Sequence, residues 1–409
     1  MQQKGALFML STQDIRTIKS TVPVLEVHGN EITRRFYKLM FEHHPELLHI
    51  FNHANQSQGK QQAALAAMVY AAAKYIDRLE TVLPAVTQVA HKHRSLGVKP
   101  EHYPIVGRYL LMAIKDVLGE AATDEIIEAW GNAYQIIADV FIQMEAKMYE
   151  EASDQPGGWE GFRAFEVVKT VDESDIIRSF YLQPADQLPL APFDPGQYIS
   201  VKVEIPGDSY TQIRQYSLSG APGLPHYRIS VKKEAARGDS PAGRVSSYLH
   251  DQIHAGDTLW LSAPAGDFKL DIQDDRPLVL IGGGIGITPL NSMLHAELAS
   301  GAERDITFIH AAQHMKVQAM GPQIRQLEQE HDRLSAYFCY SDPQSEDEGY
   351  DRAGRIDSAW LAEVVQTTDA HFYFCGPTLF MKSLRDMLLD WGVCEQDLHY
   401  EFFGPKEQL

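Results

Sequence analysis

The feature that most constrains this chain is a hydrophobic period that changes twice along its 409 residues. Residues 10–150 show no strand alternation. They carry apolar side chains three and four apart, as in QQAALAAMVYAAAKYIDRL (61–79) and EIIEAWGNAYQIIADVFIQMEAKMYE (125–150), both rich in good helix formers. Prolines 23, 45, 84, 100 and 104 fall where helices would start or break. The run EASDQPGGWEG (151–161) concentrates Gly, Pro, Ser and Asp and predicts a linker. Beyond it the period shortens to two. FRAFEVVKTV, IIRSFYLQP, QYISVKVEI, RQYSLSG, YRISVKK and DTLWLSAP read as short strands between turns, with one helix at RVSSYLHDQI. After residue 272 buried strands such as PLVLIGGG, DITFIHAAQ, SAYFCYS and HFYFCGP alternate with helices. The predicted architecture is an all-α domain (1–150), a linker (151–161), an antiparallel β-barrel (162–272) and an α/β doubly wound domain (273–409) whose end forms a separate closing segment.

Charge and cysteine usage narrow the function. A formal net charge of -19 argues against nucleic acid as a partner, since phosphate binding needs clustered Lys and Arg. Three cysteines, 339, 375 and 394, make no disulfide framework and fit reduced thiols in the cytoplasm. No apolar run approaches the roughly 18 residues of a membrane span. The opening MQQKGALFML is too short an apolar stretch for a signal peptide, and Met9 is an alternative start that would make residues 1–8 an extension. The chain is expected to act as a monomer.

Within the helical domain, periodicity separates two neighbouring histidines. In PAVTQVAHKHRSLG the apolar face carries Val86, Val89, Ala90 and Leu96, and His93 falls on it, whereas His91 lies about 200° round the helix. A histidine on an apolar helix face is either a hydrogen-bonded core residue or an axial ligand to haem iron. Further on, the loop GGGIGITP (282–289) follows a buried strand and opens a helix, so its backbone amides suit a pyrophosphate; position 287 is Ile, so it is not G-x-G-x-x-G. Cys375, Gly376 and Pro377 end another strand at the carboxyl edge of the sheet, where doubly wound folds bind ligands. Cys375 reads either as a small buried residue or as the lining of a ligand site.

Three resemblances join these signals. FYKLMFEHHPELLHIFN with NQSQGKQQAALAAMV resembles the distal half of bacterial globins, which implies that Tyr37, Phe51, Gln61 and Leu65 line a haem pocket, with Tyr37 and Gln61 as hydrogen-bond donors toward dioxygen. RQYS, preceded by FDPGQY and followed by GRVSSYL, resembles the flavin motif of ferredoxin-reductase-like barrels. That likeness implies Arg214 on the pyrophosphate, Gln215 beside it, Tyr216 along the flavin, Ser217 at the isoalloxazine edge, Tyr198 toward the adenosine and Ser246 toward phosphate. GGGIGITP with CGP is similar to the nicotinamide half of the same reductases, implicating Gly284, Ile285, Gly286, Ile287, Thr288, Pro289, Cys375, Gly376 and Pro377. In the closing HYEFFGP the likeness places Phe403 over the flavin ring, with Phe402, Gly404 and Pro405 around it.

In this order the motifs are those of the flavohaemoglobins, the nitric oxide dioxygenases of bacteria and fungi, which the chain resembles over residues 9–409. The resemblance implies haem b held by His93, FAD, and NADPH or NADH, with nitric oxide and dioxygen as substrates and nitrate as product. It also implies Lys92 beside the proximal ligand, Tyr103 and Glu145 as a relay on its imidazole, and Glu401 in haem–flavin electron transfer. An Ile at 287, where a polar residue is commoner, would alter the nicotinamide contact, and Phe402 stands where a Cys can occur. His314 and Lys316 would favour a 2′-phosphate, yet no Arg cluster accompanies them, so the choice of nucleotide stays open. Two other functions use the same parts: an oxygen-binding or sensing globin with a reductase that keeps it ferrous, and a general reductase for external electron acceptors.

Overall fold

The computed structural model describes residues 10–51, 56, 59–236, 238, 241–271 and 273–404. The chain forms two compact units, one running to Asp154 and including Pro206–Ile213, the other taking Gln155–Ile205 and Arg214 onward.

The first unit is helical: α1 (Thr12–Ser20), α2 (Val22–His43), α3 (Lys60–Lys74), α4 (Leu83–Leu96), α5 (His102–Leu118) and α6 (Asp124–Asp154). Local chemistry sets the ends. The Ser11 side chain accepts from the amide of Asp14 at 3.0 Å, capping α1. Pro23 and Pro84 sit in first turns, where a missing N–H costs nothing. α4 stops at Gly97, whose φ of 78° lets Val98 N reach back to His93 O at 3.0 Å. α6 runs four residues past the expected linker boundary at 150, because Ala152 is still buried and extends its packed face. The core joins Ile32, Phe36 and Met40 of α2 to Ile114 of α5 and Trp130 of α6.

The second unit holds two sheets. The strands β1 (Phe162–Asp172), β2 (Ile177–Pro184), β3 (Tyr198–Val203), β4 (Gln212–Ser217), β5 (Tyr227–Lys232) and β6 (Thr258–Ser262) lie in the order β4-β3-β6-β1-β2-β5. A bridge from Leu218 to Ile229 joins the two ends of that order, closing the sheet. Phe165, Phe180, Ile199, Val201, Ile229 and Leu261 fill its interior. The helix α7 (Arg244–Gln252) interrupts the strands.

The other sheet is parallel in each of its pairings, with order β10-β9-β8-β7-β11-β12. Its strands are β7 (Leu278–Gly283), β8 (Ile306–Ala312), β9 (Leu334–Tyr340), β10 (Arg352–Ala353), β11 (His371–Cys375) and β12 (Leu398–Glu401). The helices α8 (Ile287–Ala299), α9 (Gly321–Glu330), α10 (Ser358–Val365) and α11 (Thr378–Trp391) connect them. Both faces are covered. Leu278 and Leu280 pack with Leu290 on one side, Val279 and Ile281 with Leu384 on the other, which is why β7 reads as a continuous apolar run. Strand order reverses between β7 and β11, so the ligand crevice of this fold opens at their carboxyl ends.

Candidate functional site

The predicted residues fall in four groups. The first surrounds His93, in the last turn of α4. Its Nδ1 lies 2.8 Å from Glu145 Oε1 and 3.1 Å from the Tyr103 hydroxyl, which itself donates to the same Glu145 oxygen at 2.6 Å. Helices α4, α5 and α6 therefore each bring one member. Glu145 is 3 % exposed, and burial, followed by the hydrogen bond and charge of Glu145, raises the Tyr103 phenol far above its ordinary value, so it stays a donor. A donor–acceptor contact at Nδ1 fixes the tautomer and leaves Nε2 for a metal. His93 keeps 32 % of its side chain exposed, among partly buried Val82, Val89, Ile137 and Met144. One imidazole aimed out of an apolar wall fits haem, whose iron asks one or two protein ligands. Among the described residues, no three His, Cys, Asp or Glu side chains gather as a bare-ion site would require. Lys92 is half-buried, and its carbonyl accepts from Ser95 Oγ at 2.9 Å.

The second group is Tyr37, Gln61 and Phe51. Tyr37 is buried, and burial drives its phenol pKa upward against the opposing hydrogen bonds of Gln61 and Gln56. Gln56 donates to Gln61 Oε1 at 3.0 Å, and Gln62 donates to Gln56 Oε1 at 2.9 Å. Phe51 stands edge-on to Tyr37 with ring centres 5.8 Å apart, and Leu65 packs against the same core. Neither Gln56, outside α3, nor Gln62, in its first turn, stands out from the other glutamines of 56–62 by sequence. Tyr134 escaped the sequence reading too: its hydroxyl holds Tyr103 O at 2.6 Å, and it fills the space a side chain at Gly107 would need.

The third group lies on the second unit. β4 carries Arg214, Gln215, Tyr216 and Ser217. Burial lowers the Arg214 pKa, the cost of enclosing a cation that an anionic ligand would relieve, and raises that of Tyr216, which keeps its phenol neutral. Tyr198 starts β3, is buried, and leaves no room for a side chain at Gly266, whose Cβ would come 3.0 Å from its ring. Ser246, at the start of α7, accepts from Glu234 N at 3.2 Å and donates to Gly243 O at 3.1 Å, so its hydroxyl shapes the loop in front of the helix.

The loop 284–286 and the residues 375–377 meet at the switch between β7 and β11. A Cβ on Gly286 would sit 2.1 Å from Cys375 O, and Gly284 has φ +54°, so both need glycine. This backbone-to-backbone contact fits a dinucleotide cradle at the amino end of α8. Within it, Ile285 is half-buried and Thr288 Oγ1 donates to Ile285 O at 3.0 Å. Ile287 and Pro289 are buried, and Ile287 is a core residue with no exposed surface. The expected effect of Ile287 on nicotinamide contact is therefore corrected: its side chain faces the core, and only its backbone is at the loop. Cys375 is likewise enclosed. Its thiol donates to Glu401 O at 3.3 Å, and burial holds its pKa well above normal. His310, which the sequence reading missed, is completely buried in β8 and engages Gly284 O through Nε2 at 2.9 Å. Lys316 is tied to Glu346 at 2.7 Å, which opposes the charge that a 2′-phosphate would need. Glu401 ends β12 buried, Phe402 packs edge-on to Tyr400, Gly404 N bonds Phe402 O at 3.0 Å, and Phe403 is 48 % exposed. Pro405 lies outside the described residues.

Comparison with known proteins divides the chain in three. A globin family model matches residues 34–141, an oxidoreductase FAD-binding domain model residues 164–270, and an oxidoreductase NAD-binding domain model residues 280–386. The chain is 53% identical over 404 residues to a protein of Bacillus cereus (strain ATCC 10987 / NRS 248) named flavohemoprotein, covering 98% of this chain and 100% of that one. A crystal structure of flavohemoglobin from Malassezia yamatoensis with bound FAD and heme superposes with a TM-score of 0.85 at 29% identity, covering 97% of this chain and 100% of that chain. The FAD/NAD-binding domain of nitric oxide dioxygenase from Vibrio cholerae O1 biovar El Tor matches with a TM-score of 0.54 at 38% identity, covering 59% of this chain and 99% of that chain.

Proposed function

The chain belongs to the flavohemoprotein family, and from that membership we infer how its residues divide the work of a nitric oxide dioxygenase. It is an oxidoreductase that uses haem, FAD and a nicotinamide nucleotide to convert nitric oxide and dioxygen into nitrate. When bound, the nucleotide supplies hydride, the flavin splits it into single electrons, and the haem iron carries the oxygen chemistry.

The protein's part is positioning and charge. His93 offers Nε2 to the iron, while Glu145 and Tyr103 hold Nδ1 and make the imidazole a stronger donor. Tyr37 and Gln61, with Gln56 and Gln62 behind them, supply polar groups against the apolar Phe51 and Leu65, suited to hold dioxygen. Arg214 would hold the flavin pyrophosphate, Tyr216 and Tyr198 would flank the flavin nucleotide, and Ser217 would stand toward its reactive edge. The loop 284–289 takes the nicotinamide nucleotide's pyrophosphate, and Cys375–Pro377 close the crevice beside it. Phe403, half-exposed two residues past β12, would cover the ring of a bound flavin. Glu401 would serve electron passage to the haem, and Lys92 would stand beside the proximal ligand. The protein acts as a cytoplasmic monomer; its three cysteines are free, which suits a reducing compartment, and among the described residues no helix is long and apolar enough to cross a membrane.

The observation that carries this reading is the Glu145–His93–Tyr103 triangle, because a core histidine needs no buried carboxylate behind it. The test is aerobic consumption of NAD(P)H on adding nitric oxide, with nitrate measured. His93→Ala is expected to abolish nitrate formation while leaving NADH-dependent ferricyanide reduction intact. Nitrate formation that survives the substitution, or wild-type protein that makes none, overturns it in favour of a general reductase or an oxygen carrier.

A further inference from the structure

The helix that follows the nicotinamide loop and the strand that carries the flavin motif share a polar seam which none of the assigned roles uses. Its centre is the carbonyl of Ser219, two residues past Ser217. It accepts from Asn291 Nδ2 at 2.8 Å and from Arg228 Nη2. Asn291 lies two residues past Pro289, in α8; Arg228 lies in β5. Ser219 also donates its amide to Arg228 O at 2.8 Å, and its hydroxyl lies 2.8 Å from that of Ser230. Gly220 follows with no slack, since a Cβ there would sit 3.2 Å from Arg228 Cβ.

This seam is poorly designed for stability. Asn291 and Ser219 have no exposed surface and Arg228 is 7 % exposed, yet Arg228 Nε, Asn291 Oδ1 and the neighbouring Ser292 Oγ lack hydrogen-bond partners among the described residues. The Arg228 guanidinium donates to a carbonyl, that of Ser219, which carries no formal charge to balance it. A buried cation and a half-satisfied amide are disfavoured against an apolar contact of equal volume. What such groups supply is register: a directional bond fixes where two elements sit, while apolar packing tolerates sliding.

We propose that Asn291 and Arg228 are positioning residues for hydride transfer, clamping Ser219 so that the flavin edge at Ser217 and the nicotinamide loop at 284–289 stay in reacting register. The inference rests on the flavin and nicotinamide assignments above. Neither residue touches the reacting atoms; they act through the Ser219 carbonyl and the start of α8.

The test uses the full-length protein with its cofactors. Asn291→Leu keeps volume and removes the bond; Asn291→Ser keeps polarity but is too short to reach Ser219. In stopped flow with NADH, both are expected to reduce the flavin about 10- to 100-fold more slowly than wild type, the cost of misplacing reacting groups by about an ångström. The primary isotope effect with NADH deuterated at C4 should rise or stay full, while nucleotide Kd, FAD content and melting temperature hold. Hydrogen exchange at residues 218–220 should quicken, a readout independent of turnover. Wild-type flavin-reduction rates in both variants overturn the proposal whatever their melting temperatures. Failure of both to fold assigns the seam to stability and overturns it equally. If wild-type flavin is not reduced by NADH at all, the functional assignment fails instead.

Discussion

Replacing Glu145 with glutamine removes one charge behind His93 and almost nothing else. Both hydrogen bonds at this site end on the same oxygen, Oε1, from His93 at 2.8 Å and Tyr103 at 2.6 Å, and glutamine retains an acceptor there. A hydrogen bond to a charged group contributes about 1.5–3 kcal/mol and a neutral one about 0.5–1.5, so the bond to His93 weakens by about 1–1.5 kcal/mol. That bond strengthens when the ligand's metal is more positive, so its loss disfavours the ferric state. About 1.4 kcal/mol is tenfold in an equilibrium, or about 59 mV for one electron. Only the part of that weakening that differs between the two oxidation states moves the potential, so Glu145→Gln should raise the haem midpoint potential by at most about 60 mV. Tyr103→Phe should move it the other way, because the carboxylate loses its competing donor and turns more of its charge on the imidazole. Spectroelectrochemical titration of the full-length protein, following haem and flavin bands separately, measures both. An unchanged or lower potential in Glu145→Gln, or shifts of the same sign in both variants, would refute the reasoning.

Three other outcomes are expected. His310 is fully buried, with a pKa lowered to about 4 by burial, so the unfolded chain takes up its proton first as pH falls. The neutral form's stability is present above pH ~6.5 and is lost toward pH 4, by an order of about 3 kcal/mol; His310→Gln should flatten the denaturant-midpoint profile across that window. Gly286→Ala places a Cβ against Cys375 O and should abolish flavin reduction by NADH while leaving carbon monoxide binding intact, whereas Gly284→Ala, strained but in open space, should cost only about 1–2 kcal/mol of stability. Glu346→Gln frees Lys316 and should raise the ratio of kcat/KM for NADPH over NADH by about threefold, the scale of an exposed charge; an unchanged ratio would place the 2′-group elsewhere.

Periodicity alone determined the order of the three folding patterns, because a helix, a half-buried strand and a doubly buried strand bury apolar residues at different spacings. It also put His93 on an apolar face, and the glycines of 282–286 at a strand–helix turn, since both are properties of adjacent residues. Missed elements were short or depended on neighbours: β12 has four residues, and α6 outran its expected end because Ala152 finds a buried place. Only the tertiary structure decided which residues meet. Glu145 is 52 positions from His93, Asn291 is 72 from Ser219 and His310 is 26 from Gly284. No local pattern encodes those distances, because they follow from how packed helices and sheet order fold the chain back on itself. The same packing turned the side chains of Ile287 and Cys375 into the core, where the motif by itself could not say which way they faced.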